Sequence, residues 1–393
     1  MRKILVCNAG STSLKFVLYC FPEGKRLFQM KIGRIGEKKS EISYVSDGKK
    51  TEQTECEIAD YRTGVEFFME TLLQKKVIAS VSEISAVGFK TVFAEGYFGT
   101  HVLDAACLRA MERGLVVAPS HNRAYLQAIC TIREFLPSAV LVGAFETQFH
   151  QTISEEKRVL PLPYAWKERY FVQKYGYHGA SHSYIARVIA QKYGAQKKVI
   201  SLHLGGSSSV CAIVNGESID SSFGFSPQSG LFHVARCNEI DPSLLPWLKE
   251  HGMTEEEIFS AINKESGLCG ISGMSGDMRD LETAYLAGNH QAMLAVNAFV
   301  YAIVKYIGAF YVLLGGMDIL AFTGGMGENS SFLRALICGK LSALGICLSD
   351  AANMNAKGDC FSISESGPLV LVIPTDEERM VAERTYLALY AED

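Results

Sequence analysis

The chain has 393 residues, 48% of them hydrophobic and 20% charged, and carries a formal net charge of −4. This length exceeds what one hydrophobic core usually supports, so the composition predicts a globular protein of two domains. The weak net charge, with no basic cluster interleaved with aromatic residues, excludes a nucleic-acid-binding surface. The 11 cysteines form no CxxC pair and the first residues do not resemble a signal peptide, which predicts reduced thiols in a cytoplasmic protein.

Strands and helices alternate along the chain, which is typical of an α/β fold. Two apolar stretches at residues 3–7 and 14–19 predict a hairpin, and residues 140–144 predict a short strand.

Two helix boundaries are marked by polar residues and glycine. A helix is predicted over Ser181–Tyr193, with Ser181 as its N-cap and Gly194 as its end. Thr375 and Glu378 have the spacing of a capping box, so the last helix is predicted to begin there.

Residues 292–317 form an apolar stretch long enough to cross a membrane, with Asn297 and Lys305 as its strongly polar members. Lys305 falls in the middle and glycines interrupt the stretch. The sequence therefore predicts a buried core helix, compatible with a place at a subunit interface.

Residues 198–214 repeat the pattern of residues 2–19. Each copy has a basic residue, an apolar strand, a polar residue (Asn8 or His203), a turn of small residues and a second apolar strand. The repeat predicts a duplicated fold. The alternative is a coincidence between two hairpins, because Gly/Ser turns are common.

Turns of small residues let backbone N–H groups approach an anion closely. A third glycine loop, at residues 323–329, lies between an apolar strand and a predicted helix, whose N-terminus favours phosphate. None of the three matches a P-loop, and a single one is equally compatible with a plain turn. Three in one chain favour nucleotide binding.

Ten short stretches, spread along nearly the whole chain, resemble the motifs of one protein family. They are NAGSTSLKF (8–16), APSHN (118–122), FETQFHQT (145–152), KYGYHGASH (174–182), HLGGSSS (203–209), GFSPQSGL (224–231), ARCNEIDP (235–242), NKESGLCGISGMSGDMRDL (263–281), FTGGMGENS (322–330) and IPTDEE (373–378). In this order they resemble the motifs of the acetate kinase family, within the superfamily of sugar kinases, actin and heat-shock chaperone ATPases.

The resemblance implies an α/β fold of two duplicated ribonuclease-H-like (actin-like ATPase) domains, each with a mixed five-stranded sheet, and an active site in the cleft between them. Residues 1–148 with 377–393 are expected to form the first domain, with the carboxylate side and the first phosphate loop. Residues 149–376 are expected to form the second, with the nucleotide site, the second phosphate loop and the dimer contacts.

Members of this family phosphorylate a short carboxylate with ATP, reversibly, giving an acyl phosphate and ADP. The resemblance therefore implies ATP and ADP as substrates, Mg²⁺ or Mn²⁺ as the metal, and a homodimer that binds neither nucleic acid nor membrane. Such a reaction depends mainly on positioning and on neutralising the phosphate charge.

By resemblance, Asn8 and Glu377 would hold the metal, with Asn8 acting directly or through water, because oxygen ligands suit a hard cation. Glu378 fits the helix cap better, which leaves Glu377 for the metal. Lys15 resembles the family's phosphate-contacting lysine, and its alternative is a solvated strand residue.

Three residues match the family's catalytic groups. His178 and Arg236 match those that stabilise the transferring phosphoryl group, and the planar guanidinium fork of Arg236 suits a pair of phosphoryl oxygens. Glu146 stands at the position of the family's catalytic aspartate.

The nucleotide residues also follow from the resemblance. They are Lys15, His203, Leu204, Gly205, Gly206, Ser207, Asp277, Met278, Arg279, Gly325, Met326, Gly327, Glu328 and Asn329. Because Gly325 has no side chain, the adenine pocket is not plugged, which favours ATP over pyrophosphate as the phosphoryl donor.

The carboxylate side departs from the family. Lys90 stands where the family has an arginine that grips the substrate carboxylate, and a point charge does not replace a bidentate fork. Glu146 is one methylene longer than the family's aspartate, and a displacement of about 1 Å can cost ~10²-fold in rate.

The predicted acyl pocket also departs in part. Ser120 replaces a leucine and Tyr177 replaces a phenylalanine, while Val92 and Pro227 keep the apolar character. In the second phosphate loop, Gly206 replaces an asparagine.

These departures leave alternatives open. The leading hypothesis is an active carboxylate kinase whose acceptor is not simply acetate. A second is a weakened paralogue that binds nucleotide and acts as a sensor or partner protein. A third is a different acceptor such as a sugar, which the motifs disfavour because they are those of the carboxylate branch.

Overall fold

The computed structural model describes residues 1–46 and 51–391, apart from the side chain of Ser120. Its strands are β1 (Arg2–Gly10), β2 (Ser13–Phe21), β3 (Lys25–Gly33), β4 (Ser40–Ser46), β5 (Glu52–Cys56), β6 (Ile84–Phe89), β7 (Thr100–Val102), β8 (Val140–Ala144), β9 (Lys198–Leu204), β10 (Ser208–Val214), β11 (Glu217–Ser221), β12 (Ile319–Thr323), β13 (Cys347–Leu348), β14 (Phe361–Ser362), β15 (Ser364–Ser366) and β16 (Leu369–Val372).

The α-helices lie mostly between these strands. They are α1 (Tyr61–Gln74), α2 (Ala105–Arg113), α3 (Pro119–Phe135), α4 (Glu155–Arg158), α5 (Tyr164–Tyr170), α6 (Gly179–Tyr193), α7 (Leu244–Glu250), α8 (Glu255–Lys264), α9 (Gly267–Ser272), α10 (Met278–Leu286), α11 (His290–Leu314), α12 (Gly324–Asn329), α13 (Ser331–Gly339), α14 (Asp350–Met354) and α15 (Glu377–Tyr390). Short 3₁₀ helices lie at Val81–Glu83, Gly114–Val116, Gln148–Thr152 and Ser342–Leu344.

The chain divides into two compact units. The first unit comprises Met1–Gln148 and Asp376–Asp393, and the second comprises Phe149–Thr375. The first therefore holds β1–β8 with α1–α3 and α15, and the second holds β9–β16 with α4–α14. The roles that the resemblance assigns to the two parts stay predictions.

Each unit is built on one large mixed sheet, and the predicted α/β class is confirmed. The first sheet has eight strands in the order β5-β4-β3-β2-β1-β6-β8-β7, and the second has six in the order β11-β10-β9-β12-β16-β14. The prediction of five strands per sheet is wrong as a total. Polar, exposed segments such as β5 lack the apolar pattern that marks a strand, so the sequence gives little sign of them.

Five strands nevertheless recur with the same order and sense in both sheets. The set β3-β2-β1-β6-β8 corresponds to β11-β10-β9-β12-β16. In each set the first three strands are antiparallel and the last two run parallel to the central one. The duplication predicted from the two hairpins is therefore seen in the topology.

The helix α15 returns to the first unit and packs on its sheet. Val381 and Ala382 join the core formed with Ile4 and Ala86. On β6 a Cβ added at Gly88 would lie 2.3 Å from the hydroxyl of Thr385. Because glycine permits this close approach, the middle of α15 packs directly on the end of β6.

The apolar helix α11 buries one face only. Its buried residues include Phe299 and Ile303, which join the core of the second unit. The opposite face exposes Leu294, Tyr301 and Val312, the last two by 70% and 78%. By length and composition α11 could span a membrane, but one face packs in the core of the second unit, as the sequence predicted for a core helix.

Two predicted helix starts are wrong. The helix α6 begins at Gly179, with His178 in the N-cap position and in the left-handed region at φ 56°. Ser181 lies inside the first turn. The helix α15 is capped by Asp376, whose side chain accepts from the backbone N–H of Arg379 at 3.2 Å. Thr375 and Glu378 form no capping box because the Glu378 carboxylate is occupied elsewhere, as described below.

Candidate active site

Three neighbouring parallel strands of the first unit end at the same edge of the sheet. Asn8 lies near the end of β1, Lys90 directly follows β6, and Glu146 follows β8 by two residues. The backbone N–H of Glu146 donates to the carbonyl of Thr91 at 2.9 Å, which ties the last two segments together. The carboxyl edge of a parallel sheet is where α/β proteins commonly bind ligands.

Lys90 and Glu377 form an ion pair in which the Lys90 Nζ and a Glu377 carboxylate oxygen are 2.7 Å apart. Both side chains are mostly buried. Burial disfavours the charged ammonium, but the carboxylates of Glu377 and Glu146 outweigh it, so the pKa of Lys90 lies well above its ordinary value. The predicted substrate-binding cation therefore contacts the predicted metal ligand.

Glu378 joins two other predicted residues. One of its carboxylate oxygens accepts from the Asn8 amide at 3.3 Å, and the other pairs with the Lys15 ammonium at 2.7 Å. The Tyr125 hydroxyl donates to Asn8 Oδ1 at 2.8 Å and orients the amide. The sequence argument missed this role of Glu378, although the spacing of Glu378 with the buried residues of α15 at 381, 382 and 385 marks an inward face.

Arg384 is a second residue that the sequence did not reveal. Burial lowers the pKa of its guanidinium, and the carboxylate of Glu146 acts in the opposite direction. Glu146 itself is buried, with 3% of its surface exposed. Two cations, Lys90 and Arg384, therefore act electrostatically on Glu146.

The oxygen atoms at the start of α15 suit a hard divalent cation. The carboxylates of Glu377 and Glu378 and the amide of Asn8 are the donor types that Mg²⁺ and Mn²⁺ take. The residues present therefore fit the metal that the resemblance implies. Because Lys90 and Lys15 already neutralise the two carboxylates, a metal ion would compete with these ammonium groups.

In the second unit, the hairpin of β9 and β10 brings His203 close to His178. Their ring centroids are 4.1 Å apart. His178 Nδ1 hydrogen-bonds with the Ser209 hydroxyl at 2.8 Å, and His203 Nδ1 with the Ser181 hydroxyl at 2.8 Å. The His178 ring is thus held by a serine of β10 and the His203 ring by a serine in the first turn of α6. The N-terminus of a helix favours anions.

Arg236 lies in the same unit and donates to the carbonyl of Pro227 at 3.0 Å. Burial lowers the pKa of its guanidinium to about 10, so it stays charged at neutral pH.

The predicted acyl wall is less polar than the sequence suggested. The buried Tyr177 hydroxyl donates to the carbonyl of Phe225 at 2.7 Å, so it is already satisfied inside the protein. Val92 is buried in the first unit. The side chain of Ser120 lies outside the described residues.

A cavity of about 570 Å³ gathers three of the predicted nucleotide segments. Its lining comprises the predicted Gly205, Gly206, Asp277, Met278, Arg279, Gly325, Met326 and Asn329 together with Val234, Gly276, Glu282 and Ser330, which the sequence missed. Hydrogen bonds from Arg279 lower the pKa of Asp277 to about 2. A Cβ added at Gly325 would meet no atom within 4 Å, so the space beside it is open.

Two further predicted nucleotide residues make contacts within the fold. Glu328 Oε1 accepts from the backbone N–H of Gly324 at 2.9 Å and of Thr375 at 3.2 Å. Gly327 packs against Leu204 and Phe322.

Comparison with known proteins agrees with this arrangement. The model of the acetokinase family matches residues 3–383. The chain belongs to the acetokinase family. It is 40% identical to a propionate kinase of Citrobacter rodentium over 97% of this chain and 95% of that protein. It is 37% identical to an acetate kinase of Shouchella clausii over 98% and 99%. A propionate kinase structure from Francisella tularensis superposes with a TM-score of 0.89 at 31% identity over 98% and 99% of the two chains.

Membership of the acetokinase family confirms the resemblance and the duplicated actin-like fold. The curated relatives with these levels of identity are named as propionate kinases and as acetate kinases. The family therefore establishes a carboxylate kinase relationship, and it does not separate the two acceptors.

The buried ion pair at Lys90 gives a stability prediction. We expect Lys90→Met to lower the free energy of unfolding by about 3 kcal/mol, because the Glu377 carboxylate loses its ammonium partner in a buried place. The double variant Lys90→Met/Glu377→Gln should recover part of this loss, since no lone charge remains. Because the folded-state pKa of Lys90 is raised, the stabilisation is complete below roughly pH 10.5 and is lost as the pH rises further.

Chemical denaturation followed by circular dichroism measures this effect. The matched control is Lys75→Met, which breaks the exposed pair of Lys75 with Glu52 at 2.7 Å and should cost less than about 1 kcal/mol. Equal losses in Lys90→Met and Lys75→Met would contradict the role of burial.

Proposed function

We propose that the chain transfers the terminal phosphoryl group of ATP to a short-chain carboxylate, giving an acyl phosphate and ADP, and that the reaction is reversible. The observation that carries this proposal is the cluster of Lys90, Glu146 and Glu377 at the end of the parallel strands. A substrate carboxylate needs a buried cation there, and Lys90 is charged at any physiological pH.

The residues of the first unit would then bind and orient the substrates. Lys90 attracts the carboxylate, and Glu146 lies close enough to act electrostatically on that ammonium. Asn8 and Glu377 would hold Mg²⁺ or Mn²⁺, and Lys15 would contact the phosphates. When bound, the metal supplies neutralisation of the phosphate charge.

The residues of the second unit would stabilise the charge of the transferring group. His178 and Arg236 supply N–H donors to the phosphoryl oxygens, and a fixed donor of this kind is typically worth ~10²- to 10³-fold in rate. The nucleoside would occupy the cavity lined by Asp277, Arg279 and Gly325.

We infer that the acceptor is slightly larger than acetate. Lys90 holds a carboxylate by one point of charge where a guanidinium would hold it by two hydrogen bonds, so the acid can tilt and shift. Glu146 reaches one methylene further into the same region. The Tyr177 hydroxyl is satisfied by the carbonyl of Phe225 within its own unit, which is compatible with an acid that carries an added methyl group, such as propionate.

Acceptor choice gives the central test. We expect the double variant Lys90→Arg/Glu146→Asp to raise kcat/KM for acetate relative to propionate by about tenfold, because it restores the fork and shortens the carboxylate together. Each single change should achieve less, since the two side chains interact. A hydroxamate assay over acetate, propionate and butyrate measures the ratios.

Two results would count against this reading. Neutral effects of both substitutions would show that Lys90 and Glu146 do not choose the acceptor. Acetate turnover at ordinary kinase efficiency, with no better acid, would remove the altered-acceptor part.

The alternative function is a nucleotide-binding sensor or partner protein derived from the enzyme. Acyl phosphate formation that falls by roughly 10²-fold or more in His178→Ala and in Arg236→Ala would support the enzyme. Nucleotide binding without any phosphoryl transfer in the unaltered chain would support the sensor.

We infer that ATP is the phosphoryl donor, because the space beside Gly325 in the cavity is open for adenine. We expect Gly325→Gln to raise KM for ATP by about tenfold or more, because the new side chain enters the cavity. The control Gly339→Gln places the same side chain at an exposed position with no atom within 4 Å of the added Cβ, and it should leave KM unchanged. A Gly325→Gln enzyme with unaltered KM for ATP would argue against adenine binding there.

We also infer a cytoplasmic homodimer. The exposed apolar face of α11, with Leu294, Tyr301 and Val312, is the strongest candidate for the contact. We expect Tyr301→Asp to shift the chain from dimer to monomer in sedimentation equilibrium, because a buried charge would oppose association. A monomeric unaltered chain would contradict the inference.

A further inference from the structure

A chain of hydrogen bonds leads from His178 into the core of the second unit. The Ser209 hydroxyl lies 2.8 Å from His178 Nδ1 and 2.8 Å from His182 Nε2. His182 Nδ1 in turn lies 2.9 Å from the Ser201 hydroxyl. Ser201, Ser209 and His182 are all fully buried, so water does not complete these bonds.

The Ser209 hydroxyl has one hydrogen for two imidazole nitrogens. It can donate to only one of them, and the other must donate to its oxygen. The states of His178 Nδ1 and His182 Nε2 are therefore opposite: when one carries a hydrogen, the other does not. The tautomer of a histidine is set by the bond made by its other nitrogen, so His182 constrains His178 through Ser209.

The surroundings keep His182 neutral. Burial lowers its pKa well below the ordinary value, and the neighbouring His150 and His203 act in the same direction. The rings of His150, His203 and His178 lie 6.0, 6.3 and 6.5 Å from that of His182. A neutral His182 has one donor and one acceptor nitrogen. All hydrogen bonds from Ser201 to His178 therefore have the same donor-to-acceptor direction at any one time.

Only one direction gives a neutral His178 a donor for an anion. In it, Ser201 donates to His182 Nδ1, His182 Nε2–H donates to Ser209, and Ser209 donates to His178 Nδ1. The hydrogen of His178 then lies on Nε2. In the opposite direction Nε2 of a neutral His178 carries a lone pair, which repels phosphoryl oxygens.

We propose that His182 and Ser209 are positioning residues that hold His178 in the tautomer with its hydrogen on Nε2. This proposal rests on the proposed function, because the donor matters only if His178 contacts a phosphoryl group. Neither His182 nor Ser209 needs to touch the substrate. Their effect is to fix the ring of His178 and the place of its hydrogen before the phosphoryl group arrives.

Long-range ¹H–¹⁵N spectra of the full chain with labelled histidine test the proposal directly, since protonated and unprotonated ring nitrogens have separate shifts. Spectra of His178→Gln and His182→Gln assign two of the nine histidines. We expect the Nε2–H tautomer for both in the unaltered protein. In Ser209→Ala, His178 should become a mixture of tautomers.

Measurements of kcat and KM provide a second test of the proposal. Ser209→Ala should lower kcat by roughly 10- to 100-fold with little change in KM, because substrate binding persists while the donor is misplaced. Ser201→Ala leaves Ser209 and both imidazoles in place and should give a smaller loss. Ser209→Thr keeps the hydroxyl and should retain more activity than Ser209→Ala.

The matched control is Ser218→Ala. It removes an equally buried serine–histidine bond, that of Ser218 with His150 Nδ1 at 2.8 Å, outside the chain that leads to His178. Its His178 signals and kcat should be unchanged. An Nδ1–H tautomer of His178 in the unaltered protein, or an equal loss of kcat in Ser218→Ala, would overturn the proposal. Absence of phosphoryl transfer in the unaltered protein would refute the proposed function, while the spectra would still decide the tautomer.

Discussion

Two adjacent carboxylates at the start of α15 are each paired with a lysine, and these two ion pairs connect the helix to the sheet of the first unit. Glu377 pairs with Lys90 from the end of β6, and Glu378 pairs with Lys15 from β2. A buried carboxylate without a partner is costly, so both lysines stabilise the packing of the helix on the sheet. Under the proposed function, the same four charges would determine where a metal ion, phosphates and a substrate carboxylate bind.

The two units share a strand order but place different kinds of polar groups at the ends of their strands. The first collects formal charges of both signs at the edge of its sheet. The second carries imidazoles held by serine hydroxyls and one largely buried arginine, Arg236. Under the proposed function, the first arrangement would suit a carboxylate acceptor, which is a fixed anion, and the second would suit a phosphoryl group in transfer, whose charge moves.

Local patterns predicted what depends on local structure. The hairpins that carry Asn8 and His203, and most of the loops that line the cavity, follow from runs of apolar and small residues. Partners distant in sequence were not visible. The local sequence around Glu378 resembled a helix cap. Its actual partners, Lys15 and Asn8, lie 363 and 370 residues earlier in the sequence, so no local pattern could reveal them. Arg384 and the Ser209 bonds were missed for the same reason, and the polar strand β5 lacks the apolar alternation that marks a strand.

The position of α15 has a consequence for the order in which the protein is made. The strands of the first unit are complete by residue 144, but the helix that covers them and supplies Glu377 and Glu378 follows the whole of the second unit. While the second unit, more than half of the chain, is being synthesised, the first sheet lacks the helix that packs on Ile4 and Ala86. Lys90 and Lys15 also lack their carboxylate partners Glu377 and Glu378 during this time. Completion of the first unit therefore depends on residues added after the second unit, and a ribosome that stops before them releases a chain without Glu377 and Glu378.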